Sequence, residues 1–172
     1  MISFVSNPLS RQSIREYAFK VRKFFGVENK SYFPVTEIFE ILPMAFEGLT
    51  CDIVEDTEFQ AGIHAETDIQ NHCIRIRQSV YDGACAGNGR DRMTIIHEIA
   101  HYLLLCVNGL KLQRNFSNNA VKAYCDPEWQ AKCLAAEIMI PANIVKNMTV
   151  DEVVKNCGVL FEAASYQLTK IS

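Results

Sequence analysis

Between Arg92 and Lys111 the chain carries only three acidic or basic side chains, His97, Glu98 and His101, in a run otherwise dominated by Ile, Leu and Ala. A helix that is apolar on nearly all sides belongs at the centre of a fold rather than at its surface. Three polar groups carried there are costly unless they are paired or hold a cation. The four-residue spacing puts both imidazoles one turn apart on a single face, so two nitrogens converge on one point. Glu98, on the adjoining flank, can reach a water held in the open position of a zinc ion bound by the two histidines. The bland alternative is a helix whose histidines bond to backbone carbonyls and whose glutamate is ion-paired at a surface. The apolar setting favours the metal.

Composition narrows the classes further. The chain has 172 residues, 49% apolar and 22% charged, enough for one substantial core. Net charge is −3, and no basic run exceeds two residues. Direct nucleic-acid binding is therefore not expected, since phosphate neutralisation needs a concentrated positive face. No apolar run approaches the roughly 20 residues of a membrane span, and Ser6-Asn7-Pro8 interrupts the start in a way no signal peptide does. These features predict a cytoplasmic protein without membrane association. Seven scattered cysteines without a Cys-x-x-Cys pair read as free, structural thiols.

Periodicity predicts helices over Ser10–Phe25 and from Pro34 through Leu42. Leu49–Glu55, Phe59–His64 and His72–Arg77 read as a small antiparallel sheet, separated by the polar pieces Asp56-Thr57-Glu58 and Glu66-Thr67-Asp68. Tyr81–Arg90, with Gly83, Gly87 and Gly89, reads as a flexible loop that could close over a cleft. A central helix is expected over Asp91–Val107, ended by Asn108-Gly109, and Leu110–Cys125 reads as irregular. Asp126 and Pro127 then cap and open a helix to about Ile140. Two short helices close the chain over Thr149–Asn156 and Phe161–Thr169. The expectation is one α+β domain over 1–172: a helical part to about 45, a sheet at about 49–78, site helices at about 91–141 and closing helices at about 149–169.

A catalytic zinc ion usually takes three protein ligands and a water. Glu128 is the best third candidate, because it opens a helix whose apolar body would dock on the motif helix. A carboxylate there also complements the helix dipole, and spacing alone does not separate the two roles.

His97-Glu98-Ile99-Ala100-His101, preceded by Arg92 and followed by the block from Glu128-Trp129-Gln130-Ala131 to Met139-Ile140-Pro141, resembles the ImmA/IrrE family of metallopeptidases. The resemblance is specific over about residues 90–141 and weak in the first 45. It implies a zincin-like helical core, Zn2+ held by His97, His101 and Glu128, and Glu98 as general base. It also implies a partner: a helix-turn-helix transcriptional repressor, often of a phage or integrative element, whose cleavage releases transcription. The first 45 residues leave no room for a helix-turn-helix domain of this chain's own, so DNA contact would come through that partner. One position departs. Four residues after the ligand glutamate the family commonly has Asn or Asp, and this chain has Lys132, which cannot accept a hydrogen bond from a ligating imidazole. That departure keeps open an alternative, a zinc-binding module that sequesters a repressor without cutting it. Donors to a tetrahedral oxyanion are sought among His64, His72, Arg90, Tyr102 and Tyr124, which the sequence does not rank. Free thiols such as Cys106 or Cys125 are further candidates to approach the metal.

Overall fold

A computed structural model of the chain describes residues 3–109, 111–115 and 120–171. Strand β1 (Ser3–Ser6) leads into helix α1 (Arg11–Phe24), whose start is capped by Ser10 accepting from the Ser13 amide. Helix α2 (Val35–Ala45) buries Val35, Ile38, Phe39 and Leu42 and tolerates Pro43 near its end. Three short strands follow, β2 (Thr50–Val54), β3 (Ala65–Asp68) and β4 (Cys73–Arg77), then helices α3 (Gln78–Cys85) and α4 (Gly89–Tyr102). The last turns of the motif helix widen into a π-helix over Leu103–Val107. Strand β5 (Leu112–Asn115) precedes α5 (Pro127–Met139), α6 (Ala142–Val145), α7 (Val150–Cys157) and α8 (Phe161–Leu168). The class is α+β, as composition and periodicity predict.

Helix α5 packs against both α1 and α4, and α4 also packs against β3 and β4 of the sheet. One continuous set of buried side chains joins these layers, with Ile14 from α1, Phe39 from α2, Ile74 from β4, Ile95 from α4 and Leu134 from α5 at 1% exposure or less. Each cap is local chemistry. Asn88 accepts from the amides of Arg90 and Asp91, Asp126 accepts from that of Glu128 ahead of Pro127, and Thr149 with Glu152 forms a capping box.

The sheet departs from expectation in two ways. Its order is β2-β4-β3, with β3–β4 antiparallel as expected but β2–β4 parallel. The middle strand of the prediction, Phe59–His64, is not a strand; the polar piece Glu66-Thr67-Asp68 is, as part of β3. Strand β3 pairs with β4 alone among the described residues, and an edge strand with all four residues only half-buried needs no apolar alternation. Phe59 is apolar for another reason: the Arg75 and Arg77 guanidinium groups lie 5.3 and 5.8 Å from its ring centre. In β4 the expected alternation holds, with Ile74 and Ile76 fully buried and Cys73, Arg75 and Arg77 half-buried.

The glycine-rich stretch over Tyr81–Arg90 is not a flap. Helix α3 runs through Gly83, α4 begins at Gly89, and only Ala86-Gly87-Asn88 connects them. Gly87 takes a left-handed conformation at φ +86°. Gly89 serves proximity instead, because a Cβ there would stand 2.9 Å from the backbone of Val159 and Leu160. Within the stretch read as irregular, β5 pairs antiparallel with β1 and Ala123–Cys125 forms a 3-10 turn; residues 110 and 116–119 lie outside the described residues. Among the described residues no helix is long and apolar enough to cross a membrane.

Candidate metal centre

The face of α4 that carries His97 and His101 meets the first turn of α5, which carries Glu128. The two imidazole Nε2 atoms are 3.1 Å apart. Glu128 reaches both, with Oε1 3.1 Å from His101 Nε2 and Oε2 3.3 Å from His97 Nε2. Ligands at the roughly 2.0–2.1 Å of zinc–nitrogen bonds, set at the corners of a tetrahedron, stand about 3.3 Å from one another. The two imidazole nitrogens, each 3.1–3.3 Å from the other and from one oxygen of the Glu128 carboxylate, therefore form with that carboxylate a donor set that fits one zinc ion with one side open. Among the described residues this is the one group of His, Cys, Asp and Glu side chains close enough to share an ion. Neither Cys106 nor Cys125 belongs to it.

Electrostatics agree with the geometry. Hydrogen bonds from His101 and then His97 hold the Glu128 carboxyl well below the usual carboxylate range, against the opposing effect of partial burial. An ionised carboxylate facing two imidazoles is a donor set suited to a divalent cation. Both histidines are half-buried, whereas the Glu128 side chain is 59% exposed, so the site opens to solvent on the α5 side.

Glu128 is aimed by a network that no local signal announces. Buried Gln130, one turn into α5, donates from Nε2 to the carbonyls of Asn7 and Tyr124 at 2.7 and 2.8 Å and accepts from Ser6 Oγ at 2.6 Å. This pins the start of α5 against β1. The opposite end of α4 is held by Arg92, 1% exposed, which donates to the carbonyls of Phe33, Cys157 and Gly158 and lies 4.0 Å from the Tyr32 ring centre. Arg92 thus anchors the helix start through backbone carbonyls and an aromatic ring, with no ion pair among the described residues.

Glu98 lies on the wall of the same cleft, a space of about 720 Å³ that also takes in both histidines, Glu128, Thr67 of β3 and Phe4 of β1. Thr67 Oγ1 is 2.7 Å from Glu98 Oε2 and 3.0 Å from the Glu98 carbonyl oxygen, so the edge strand grips the carboxylate that stands between the ligands in sequence. Thr67 is the site residue that sequence reasoning misses: it lies 31 positions upstream in a piece that reads as a polar spacer.

None of the five proposed oxyanion donors lines this cleft. Tyr102 is buried edge-on against Phe46 and His72, His64 and His72 are exposed, Tyr124 stands on the 3-10 turn, and Arg90 lines a neighbouring chamber. Lys132 lines that chamber too. Compared with known proteins, the chain matches no family model and no curated protein.

Proposed function

We propose that the protein is a zinc-dependent endopeptidase of zincin-like core, resembling the ImmA/IrrE family, that cuts a helix-turn-helix transcriptional repressor in the cytoplasm and so acts as an anti-repressor. The observation that carries this reading is the cluster of His97, His101 and Glu128, whose two Nε2 atoms stand 3.1 Å apart and 3.1–3.3 Å from one Glu128 oxygen each, on the wall of an open cleft that also holds Glu98. His97 and His101, as neutral imidazoles, and the Glu128 carboxylate would hold the ion. Bound there, zinc would supply Lewis acidity toward a peptide carbonyl and toward water.

The chain's own residues account for the rest. Glu98, fixed by Thr67, takes a proton from the attacking water as its oxygen bonds to the carbonyl carbon. It then delivers that proton to the amide nitrogen as the C–N bond breaks. The edge of β3 that is unpaired among the described residues runs beside the cleft, which suits an extended peptide laid along it by backbone hydrogen bonds. A cleft of this size takes a few residues of extended chain, and a folded repressor would have to present a linker or loop.

Lys132, where the resembled family has a hydrogen-bond acceptor, favours a second reading, a module that holds the repressor without cutting it. Glu98→Gln separates the two. Incubated with a purified helix-turn-helix repressor, the zinc-loaded wild type should yield two fragments, while the variant should bind zinc and repressor equally and cut at least a hundredfold more slowly. A variant that relieves repression as well as the wild type would exclude peptide hydrolysis as the function.

A further inference from the structure

Toward the start of α4 lies a second open chamber of about 550 Å³, and His97 lines both it and the metal cleft. The chamber's walls are almost wholly apolar: Met93 of α4, Trp129 and Ala136 of α5, and Leu160, Ala163 and Tyr166 at α8. Its charged lining residues are all cations, Arg11, Arg90 and Lys132. Arg11 is already engaged, 3.2 Å from Glu137 and within 6 Å of the Trp129 and Tyr166 ring centres. Arg90 and Lys132 are exposed, and neither forms an ion pair among the described residues.

An apolar hollow with two uncommitted cations at its rim is complementary to an apolar group carried beside a negative charge. The geometry points to a specificity subsite: the chamber receives a large apolar side chain of the peptide in the metal cleft, and Arg90 and Lys132 select peptides in which Asp or Glu neighbours that side chain. The inference rests on the peptidase reading of the cleft. It gives Lys132 a task at the substrate in place of the one it cannot perform at an imidazole. A peptide is the occupant, rather than a free amphiphile, because His97 sets the chamber directly beside the metal cleft, which Thr67 of β3 also lines.

Trp129 is the only tryptophan in the chain, so its fluorescence reports occupancy without turnover. The full chain is titrated, with zinc and separately with chelator, with acetyl-Asp-Phe-Asp-amide, acetyl-Lys-Phe-Lys-amide and acetyl-Asp-Ala-Asp-amide. Burial of one phenylalanine side chain predicts that the first binds at least tenfold more tightly than the alanine peptide. Two exposed charge pairs predict an advantage of up to about tenfold over the lysine peptide, shrinking with salt. Arg90→Glu combined with Lys132→Glu should reverse the charge preference. Ala136→Phe, or Ala163→Leu if the first fails to fold by circular dichroism, should erase the preference for phenylalanine. Equal affinity for the three peptides, or preferences unchanged in the variants, overturns the subsite. So does a saturable response to dodecanoate with none to the aspartate–phenylalanine peptide, which would make the chamber a site for lipid anions. Failure of the peptidase reading shows separately, as absence of zinc and of cleavage while the peptide preference persists in chelator.

Discussion

Glu98 and Thr67 form the pair on which the proposed chemistry turns, because a general base acts only from a fixed position. Thr67→Val removes the hydroxyl 2.7 Å from the carboxylate while keeping the shape of the side chain. It should lower kcat about tenfold, with zinc content unchanged and activity rescued by Thr67→Ser; a Val variant as active as the wild type would leave Glu98 positioned by other means. The thiols give a second residue-scale test. Burial pushes Cys133 and Cys157 up to about 11 and Cys51 up to about 12. The folded state therefore holds them neutral at pH values where an unfolded chain, with thiols ionising near 9, has begun to lose the protons. Their contribution to stability is complete below pH 9 and declines as pH rises toward 11, so Tm measured between pH 8 and 10 should fall. At pH 8 a thiol reagent should label exposed Cys85 rapidly and the fully buried Cys133 and Cys157 only on unfolding.

At the scale of elements, two buried polar side chains hold the site helices in place. Arg92→Met leaves the carbonyls of Phe33, Cys157 and Gly158 without a donor, and should cost about 3 kcal/mol or more, a drop in Tm of roughly 6–12 °C. Gln130→Leu should act on the site as well as on stability, weakening zinc affinity because the first turn of α5 carries Glu128. Equilibrium denaturation with zinc titration checks both. Helix starts were legible because capping is local: Ser10, Asp126-Pro127 and the Thr149 to Glu152 box are each read within four residues. Strand β3 was not, since an edge strand over a cleft keeps polar residues and mimics a spacer. The glycines before α4 misled because Gly89 answers to Val159 and Leu160, some 70 positions away, and closeness in space looks like freedom in sequence. The motif residues and Glu128 were legible from spacing and resemblance; Thr67, Gln130 and the partners of Arg92 were not, because, apart from the Gln130 bond to nearby Tyr124, their bonds span 31 to more than 100 positions.

For the whole molecule, the helices that carry the donors share one core with the sheet that carries Thr67, so ion binding and folding are coupled. An ion bound only by the folded chain stabilises it by about 4 kcal/mol at a thousand times its dissociation constant, so zinc should raise Tm and a chelator should lower it. The central claim is that His97, His101 and Glu128 together hold one zinc ion. Its most direct measurement is metal content per chain by elemental analysis, after dialysis against a weak chelator, in wild type beside His97→Ala and Glu128→Ala. The account predicts close to one zinc in the wild type and nearly none in either variant. A wild type that retains no metal after zinc has been supplied, or variants that retain it, would contradict the account.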